Sequence, residues 1–291
     1  MTPPQARVHW PAAFAHRVAS FASAQAAVRR TPREGASSSA ARIGAGSGEF
    51  AGRRRYRPGE DLRAFDWEAE ARGAGSWVRL SRQESGEPWA VLLDSSASMA
   101  VGADEGAPKI QLAAELALAL CAVGLFSGGT VTLVSARGVL TLRSKADFPR
   151  AVAELDDLEC AGTCDFASWL AHRSLARAAR CIAVGDFLDA DPALARGRRR
   201  FDALCVLATV ELAPLARLAL DERVLWRDPE TLATLDARLG AVAVARYANL
   251  LEEHHRHWRA SVRRAGGEFV LARAGDDFEP HALHLLRARR A

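Results

Sequence analysis

The segment WAVLLD (89–94) constrains the fold most strongly: five apolar residues in a row, closed by a single acid. A run that is apolar at every position has no wet face and is too short for a helix, so it fits a strand covered on both sides. CIAVGDF (181–187) repeats the pattern, and FDALCVLATV (201–210) forms a third such run. Helical stretches separate them. One spans residues 109–126 behind Pro108, a residue suited to a first helical turn. Others are expected near 146–157, over about 165–179, and again before residue 201. TVTLVS (130–135) and VLTLR (139–143) flank Ala136-Arg137-Gly138 and read as a hairpin. Beyond residue 210, RVLWRDPETLATLD reads as a β-ribbon turning at Asp228-Pro229-Glu230. A long helix over 241–264, a strand over 268–273 and a closing helix over 279–290 follow. Strands alternating with helices predict an α/β fold: a Rossmann-like, mostly parallel sheet flanked by helices on both faces.

Upstream of that domain the pattern changes. Residues 1–30 read as an N-terminal helical segment, with Phe14, Val18 and Phe21 on one side. Residues 31–48, which include GASSSAARIGAGSG, read as a flexible linker. Residues 49–88 are arginine-rich with short strand-like pieces and read as a small β-rich subdomain. The α/β domain then spans 89–291, with the ribbon near 222–237 as an insertion.

Composition narrows the class. The chain has 39 Lys+Arg against 35 Asp+Glu, a net charge of +4, too little to argue for a nucleic-acid partner. The arginine runs Arg53–Arg55 and Arg198–Arg200 read as solvated surface or as ion pairs with acids such as Glu60, Asp61 and Asp202. Cys121, Cys160, Cys164, Cys181 and Cys205 include no C-x-x-C pair and read as reduced, buried thiols of a cytoplasmic protein. The first thirty residues are not expected to be a secretory leader, because His16 and Arg17 interrupt their apolar pieces. The apolar run from Ile110 to Phe126 falls short of the roughly 20 residues that cross a bilayer. It is expected to be a buried helix, with no transmembrane segment in the chain. His254, His255 and His257 would spread over too wide an arc of a helix to share a metal, and read as surface residues.

Three features fall where strands end, the place where open α/β sheets bind ligands. Asp94-Ser95-Ser96-Ala97-Ser98 follows the first apolar strand, Thr163 lies in the loop after the 146–157 helix, and Asp186 closes CIAVGD. In an extended loop Asp94, Ser96 and Ser98 would point to one side. Two carboxylates and three hydroxyls are hard oxygen donors that suit Mg²⁺ or Mn²⁺ rather than zinc. Such a site leaves an open position that favours an acidic oxygen from a partner protein. Alone, D-x-S-x-S also reads as a helix-capping loop. Enzyme motifs are missing: there is no G-x-S-x-G, no P-loop and no G-x-G-x-x-G after a strand, and Asp94-Ser95-Ser96 lacks the second acid of a D-x-D phosphotransferase. The remaining alternatives are a metal-dependent phosphoester hydrolase at the same site and a metal-free scaffold.

D-x-S-x-S with a later Thr and a later strand-end Asp resembles the metal-ion-dependent adhesion site of von Willebrand factor A domains. The stretch from Arg55 to Trp67, R-Y-x-P-G-E-D-x-R-x-x-D-W, followed by Ala71-Arg72, resembles the signature of a bacterial family catalogued as domain of unknown function 58. The resemblance runs from about Glu49 to the C-terminus. It implies a von Willebrand A-like fold with Asp94, Ser96, Ser98, Thr163 and Asp186 as the metal site. It also implies that Arg55, Tyr56, Gly59, Asp61, Arg63, Asp66 and Trp67 are signature and interaction residues. Asp66 is expected to pair with an arginine such as Arg55 or Arg63, and Trp67 to be packed against the main domain. Members of the family are commonly encoded beside MoxR-type AAA+ ATPases, which implies a non-enzymatic adaptor in chaperone-like or complex-maturation work. Where the family has Gly-Gly-Thr-Asp, this chain has Ala161-Gly162-Thr163-Cys164-Asp165, so Cys164 displaces the acid.

Overall fold

The computed structural model describes residues 6–30, 42–45, 49–59, 62, 65–83, 86–102, 106–197, 200–212, 223–238 and 240–287. The chain divides into two compact units, residues 1–30 with 87–291, and residues 31–86. Helix α1 (Phe14–Arg30) belongs to the larger unit. It buries Phe14, Val18, Phe21 and Ala22 in the same core cluster as the sheet, so the N-terminal segment is part of that core.

The smaller unit is built on three strands. Strand β1 (Arg42–Ala45) and strand β2 (Glu49–Arg55) both pair antiparallel with a later strand. Helix α2 (Trp67–Ala71) precedes that strand, β3 (Trp77–Gln83), which lies at the centre of the sheet. Strand β1 lies inside the stretch read as linker. Its small residues suggested a loop, but a strand pair is held by backbone hydrogen bonds and needs no bulky side chain to form. The rest of that stretch, 31–41 and 46–48, lies outside the described residues.

The larger unit opens its sheet with β4 (Trp89–Leu93), buried at every position. Helix α3 (Lys109–Phe126) follows, then the hairpin β5 (Val131–Ser135) and β6 (Gly138–Leu142). Helices α4 (Phe148–Leu155) and α5 (Phe166–Ala171) lead to β7 (Arg180–Gly185) and β8 (Phe201–Leu207), both wholly buried. The helix expected over 165–179 stops early because His172 is extended at ψ 131° and its ring accepts from the Ser174 amide, which starts a new turn. Between β7 and β8 the expected helix is only a 3₁₀ turn, Pro192–Ala195. A short helix α6 (Thr209–Leu212), the ribbon β9 (Arg223–Arg227) and β10 (Thr234–Arg238), helix α7 (Ala241–Arg264), β11 (Phe269–Arg273) and α8 (Phe278–Arg287) complete the unit.

The six-stranded sheet runs β11-β8-β7-β4-β5-β6, parallel throughout except for β6 at the edge. Alternate residues of each strand feed two cores. Val91, Leu93, Ile182, Val184, Leu204 and Val206 face α1, α3, α4 and α8. Ala90, Leu92, Ala183, Ala203 and Cys205 face α5 and α7, where Trp258 is fully buried. Two helical layers therefore cover the sheet, which explains why its central strands carry no polar alternation. Helix α3 is long and apolar enough by composition to cross a membrane, but 83% of it is buried within this fold.

Sheet order places the functional region. From β4 the chain moves outward to β5 and β6, then returns to β7 on the other side of β4 and moves outward again. Loops that diverge from neighbouring parallel strands leave a crevice at their C-terminal ends. The strands that flank this crevice are β4 and β7.

Candidate functional site

Asp94 follows β4 and Asp186 follows β7, so adjacent strands deliver the two acids. The Asp94 amide donates to the Val184 carbonyl at 2.9 Å, which carries the ladder one residue past the strand. Both acids and Ser96 are buried. The Ser96 amide donates to Asp94 Oδ1 at 2.8 Å, and a 3₁₀ turn over Ala97–Ala100 curls the loop, which is therefore not extended. Ser96 Oγ and Ser98 Oγ lie 3.0 Å apart, and Ser98 Oγ donates to Asp186 Oδ2 at 2.9 Å. A continuous hydroxyl–carboxylate chain thus crosses from one strand end to the other.

Two details of β7 aim this chain. Gly185 abuts the Asp94 side chain so closely that a Cβ on it would lie 2.7 Å from Asp94 Cβ. Phe187, directly after Asp186, takes a left-handed φ of 58°. Packing holds that conformation: its ring stacks 5.3 Å from Phe166 and lies 4.8 Å from Trp258, and His254 bonds its carbonyl at 2.9 Å. Local backbone strain at a site residue, held by surrounding structure, is typical of functional positions.

Thr163 is exposed, and its hydroxyl is not part of the Ser96–Ser98–Asp186 chain. Its loop is nonetheless tied to the first one: Ala161 N donates to Ser95 O at 2.9 Å and Ala97 N to Gly162 O at 3.0 Å. Cys164, beside Thr163, sits against Asp94. Burial and the Asp94 charge push its thiol well above the ordinary range, so it stays protonated.

The sequence reading missed Lys109 and Glu211. Lys109 is fully buried at the first turn of α3, and its Nζ lies 2.7 Å from Asp186 Oδ2 and 2.6 Å from Glu211 Oε1. Burial opposes its charge, but Asp186 and Glu211 outweigh that and raise the ammonium above its usual value. Glu211 also accepts from the Ala208 amide at 2.7 Å, and burial raises its carboxyl. The sequence signal for Lys109 was its rarity, since it and Lys145 are the two lysines of an arginine-rich chain.

Asp94 is pushed up to about 6, first by burial and then by the charges of Asp186 and Glu230. The donor chemistry fits a hard divalent cation: Asp94, Ser96, Ser98 and Asp186 offer only oxygens, and Asp94 is destabilised by neighbouring negative charge. Among the described residues no group of three or more His, Cys, Asp or Glu side chains could hold a metal, so a cation here would depend on hydroxyls beside the two acids.

Elsewhere the expectations divide. Asp66 pairs with Arg53 at 2.8 Å and caps α2 by accepting from the Ala69 amide; of the two arginines expected as its partner, Arg63 lies outside the described residues. Strand β2 carries Arg53 toward Asp66, while the Arg55 guanidinium lies over the Trp77 ring at 5.9 Å. Tyr56 meets Phe65 edge-on at 5.2 Å, and Gly59 takes a left-handed φ of 95°. The Trp67 ring lies 4.6 Å from that of Phe65, and Trp67 is 62% exposed. Glu60, Asp61, Arg63, Arg198 and Arg199 lie outside the described residues. Arg200 pairs with buried Asp202 at 3.2 Å, as the acid-pairing reading expected. His255 is buried against Phe269, not on the surface, because α7 turns that face toward the sheet.

No curated protein matches the chain. A family model described as "Protein of unknown function DUF58" matches residues 52–257, which span the signature stretch, both acids of the crevice and most of α7. With more than two thirds of its length matched by that model, the chain belongs to the DUF58 family.

Proposed function

We propose that this protein is a non-enzymatic, cytoplasmic protein-binding adaptor of von Willebrand A-like type, with a divalent-metal-dependent adhesion site at the β4–β7 crevice. The observation that supports it is the hydroxyl–carboxylate chain Ser96–Ser98–Asp186 beside Asp94, at the point where strand order reverses. Asp94, Ser96, Ser98, Thr163 and Asp186 are the residues that would hold Mg²⁺ or Mn²⁺. Such an ion supplies a hard positive centre that attracts a carboxylate oxygen of a partner protein. The chain's own residues exclude water from the floor of the site and fix the two acids: Gly185 sets the approach of Asp94, and the Phe187 turn sets Asp186. By the family resemblance, the proposed partner is a MoxR-type AAA+ ATPase acting in chaperone-like or complex-maturation work.

A pull-down with the cognate ATPase tests the reading. Binding in Mg²⁺ is expected to be lost in EDTA and in Asp94→Ala, and retention in all three would remove the metal site from the mechanism. A metal-dependent hydrolase at the same site is the competing enzyme reading, and turnover of a generic phosphoester in Mn²⁺ would favour it. A metal-free scaffold is the second reading, favoured by the Lys109 ammonium already paired with Asp186.

A further inference from the structure

We infer that Lys109 competes with the divalent cation for Asp186, so that this one ammonium sets how tightly the site holds metal. The inference depends on the metal-site reading above and deepens it.

The geometry starts from charge. Asp94, Asp186 and Glu211 converge on the ends of β4, β7 and β8, and Lys109 is the cation placed among them. Its Nζ contacts two of the three acids, Asp186 at 2.7 Å and Glu211 at 2.6 Å, in full burial. Asp94, the third, has no such contact with it; its Oδ1 accepts from the Ser96 amide. The Asp186 oxygens are both engaged: Oδ2 accepts from Ser98 and Lys109, and Oδ1 from the Leu188 amide. A cation that binds Asp186 through Oδ2 must therefore share that oxygen with an ammonium or displace it.

The residue type and position fit this role. Lysine is a compact point charge on a flexible stem that can swing between acceptors, whereas the planar fork of arginine holds one geometry. Among the described residues the other buried cation is Arg180, fixed to Asp202 at 2.6 Å, and beside it the choice of lysine here stands out. A positive side chain in a helix's first turn also opposes the helix dipole, so α3 gains nothing from it. Glu211 provides the alternative seat: paired to Glu211, Lys109 keeps a buried counter-charge when Asp186 turns to a metal.

The predicted signs are opposite for two variants. Lys109→Met/Glu211→Gln removes the ammonium together with the acid that would be left unpaired. Mn²⁺ titrated calorimetrically into this double variant is expected to bind at least about tenfold more tightly than to wild type, because a like charge next to the ion is gone. Glu211→Gln alone leaves Lys109 on Asp186 and is expected to weaken Mn²⁺ binding about threefold or more. A variant that merely damaged the site would bind more weakly, so the gain separates competition from a structural role. Detectable binding by the double variant where wild type shows none also supports the inference. If wild type binds Mn²⁺ in an Asp94-dependent way and the double variant binds no more tightly, competition is overturned and the metal site stands. If neither wild type nor the double variant binds Mn²⁺, the metal-site reading falls and this inference falls with it. Should the double variant fail to fold by circular dichroism, the direction of Glu211→Gln decides, and unchanged or tighter binding there overturns the inference.

Discussion

Gly185 has little freedom to change. A Cβ at that position would meet Asp94 Cβ at 2.7 Å and Oδ2 at 2.9 Å, so even alanine must push the acid out of place. Gly185→Ala is expected to cost about 1–3 kcal/mol of stability, as overpacking does. It should also weaken Mn²⁺ binding severalfold, and thermal melting with calorimetric titration checks both. At the far end of β7, Arg180 and Asp202 form a buried pair at 2.6 Å, with the guanidinium 4.9 Å over the Trp89 ring and donating to the Leu285 carbonyl. Asp202→Ala strands a buried positive charge and should lower stability by about 3–5 kcal/mol in urea unfolding. At this scale Asp94, Ser96, Ser98 and Asp186 were legible because alternate spacing and strand ends leave a local signature. Lys109 and Glu211 were not. Each is an ordinary helix residue until folding brings α3 and α6 to the end of β7.

Among the elements, α7 carries a pH-sensitive residue. His255 is buried, its Nε2 has no hydrogen-bond partner among the described residues, and its pKa is lowered by burial, by His254 and by Arg259. Because its folded pKa lies below the unfolded value, the unfolded chain binds the proton more readily. Its contribution is therefore intact above the ordinary histidine range and is lost as pH falls through about 6.5 and below. His255→Leu is expected to flatten the fall in stability between about pH 7 and pH 5 relative to wild type, measured by urea unfolding across that range. The histidine triplet suggested a surface because its sequence spacing covers a wide arc, and that same arc places one of the three on the buried side. Helix breaks were equally hidden. The sequence ASWLAHRSLARAA reads as continuous helix, yet α5 ends at Ala171 because His172 is extended and its ring takes up the Ser174 amide.

On the scale of the whole molecule, a ligand held only by the folded state raises stability by mass action. Mg²⁺ at about 100 times its dissociation constant should add about 2.7 kcal/mol. The midpoint of thermal unfolding is therefore expected to rise with Mg²⁺, to fall back with EDTA, and to be insensitive to both in Asp94→Asn. Scanning fluorimetry of the three conditions measures this. The amino-acid sequence by itself determined the fold class. Runs such as WAVLLD and CIAVGD are apolar at every position and are stable only as strands covered on both faces, which requires helices on both sides of a parallel sheet. It also determined that acids and hydroxyls lie at strand ends, because those polar residues close the apolar runs. Tertiary structure alone decided that β4 and β7 are neighbours, since strand order is set by long-range packing of interchangeable apolar runs. That adjacency brings Asp94 to Asp186, 92 positions apart in the chain by the difference of their numbers, and seats Lys109 between Asp186 and Glu211. The balance of charge in the crevice belongs to contacts between distant segments, and no local pattern encodes it.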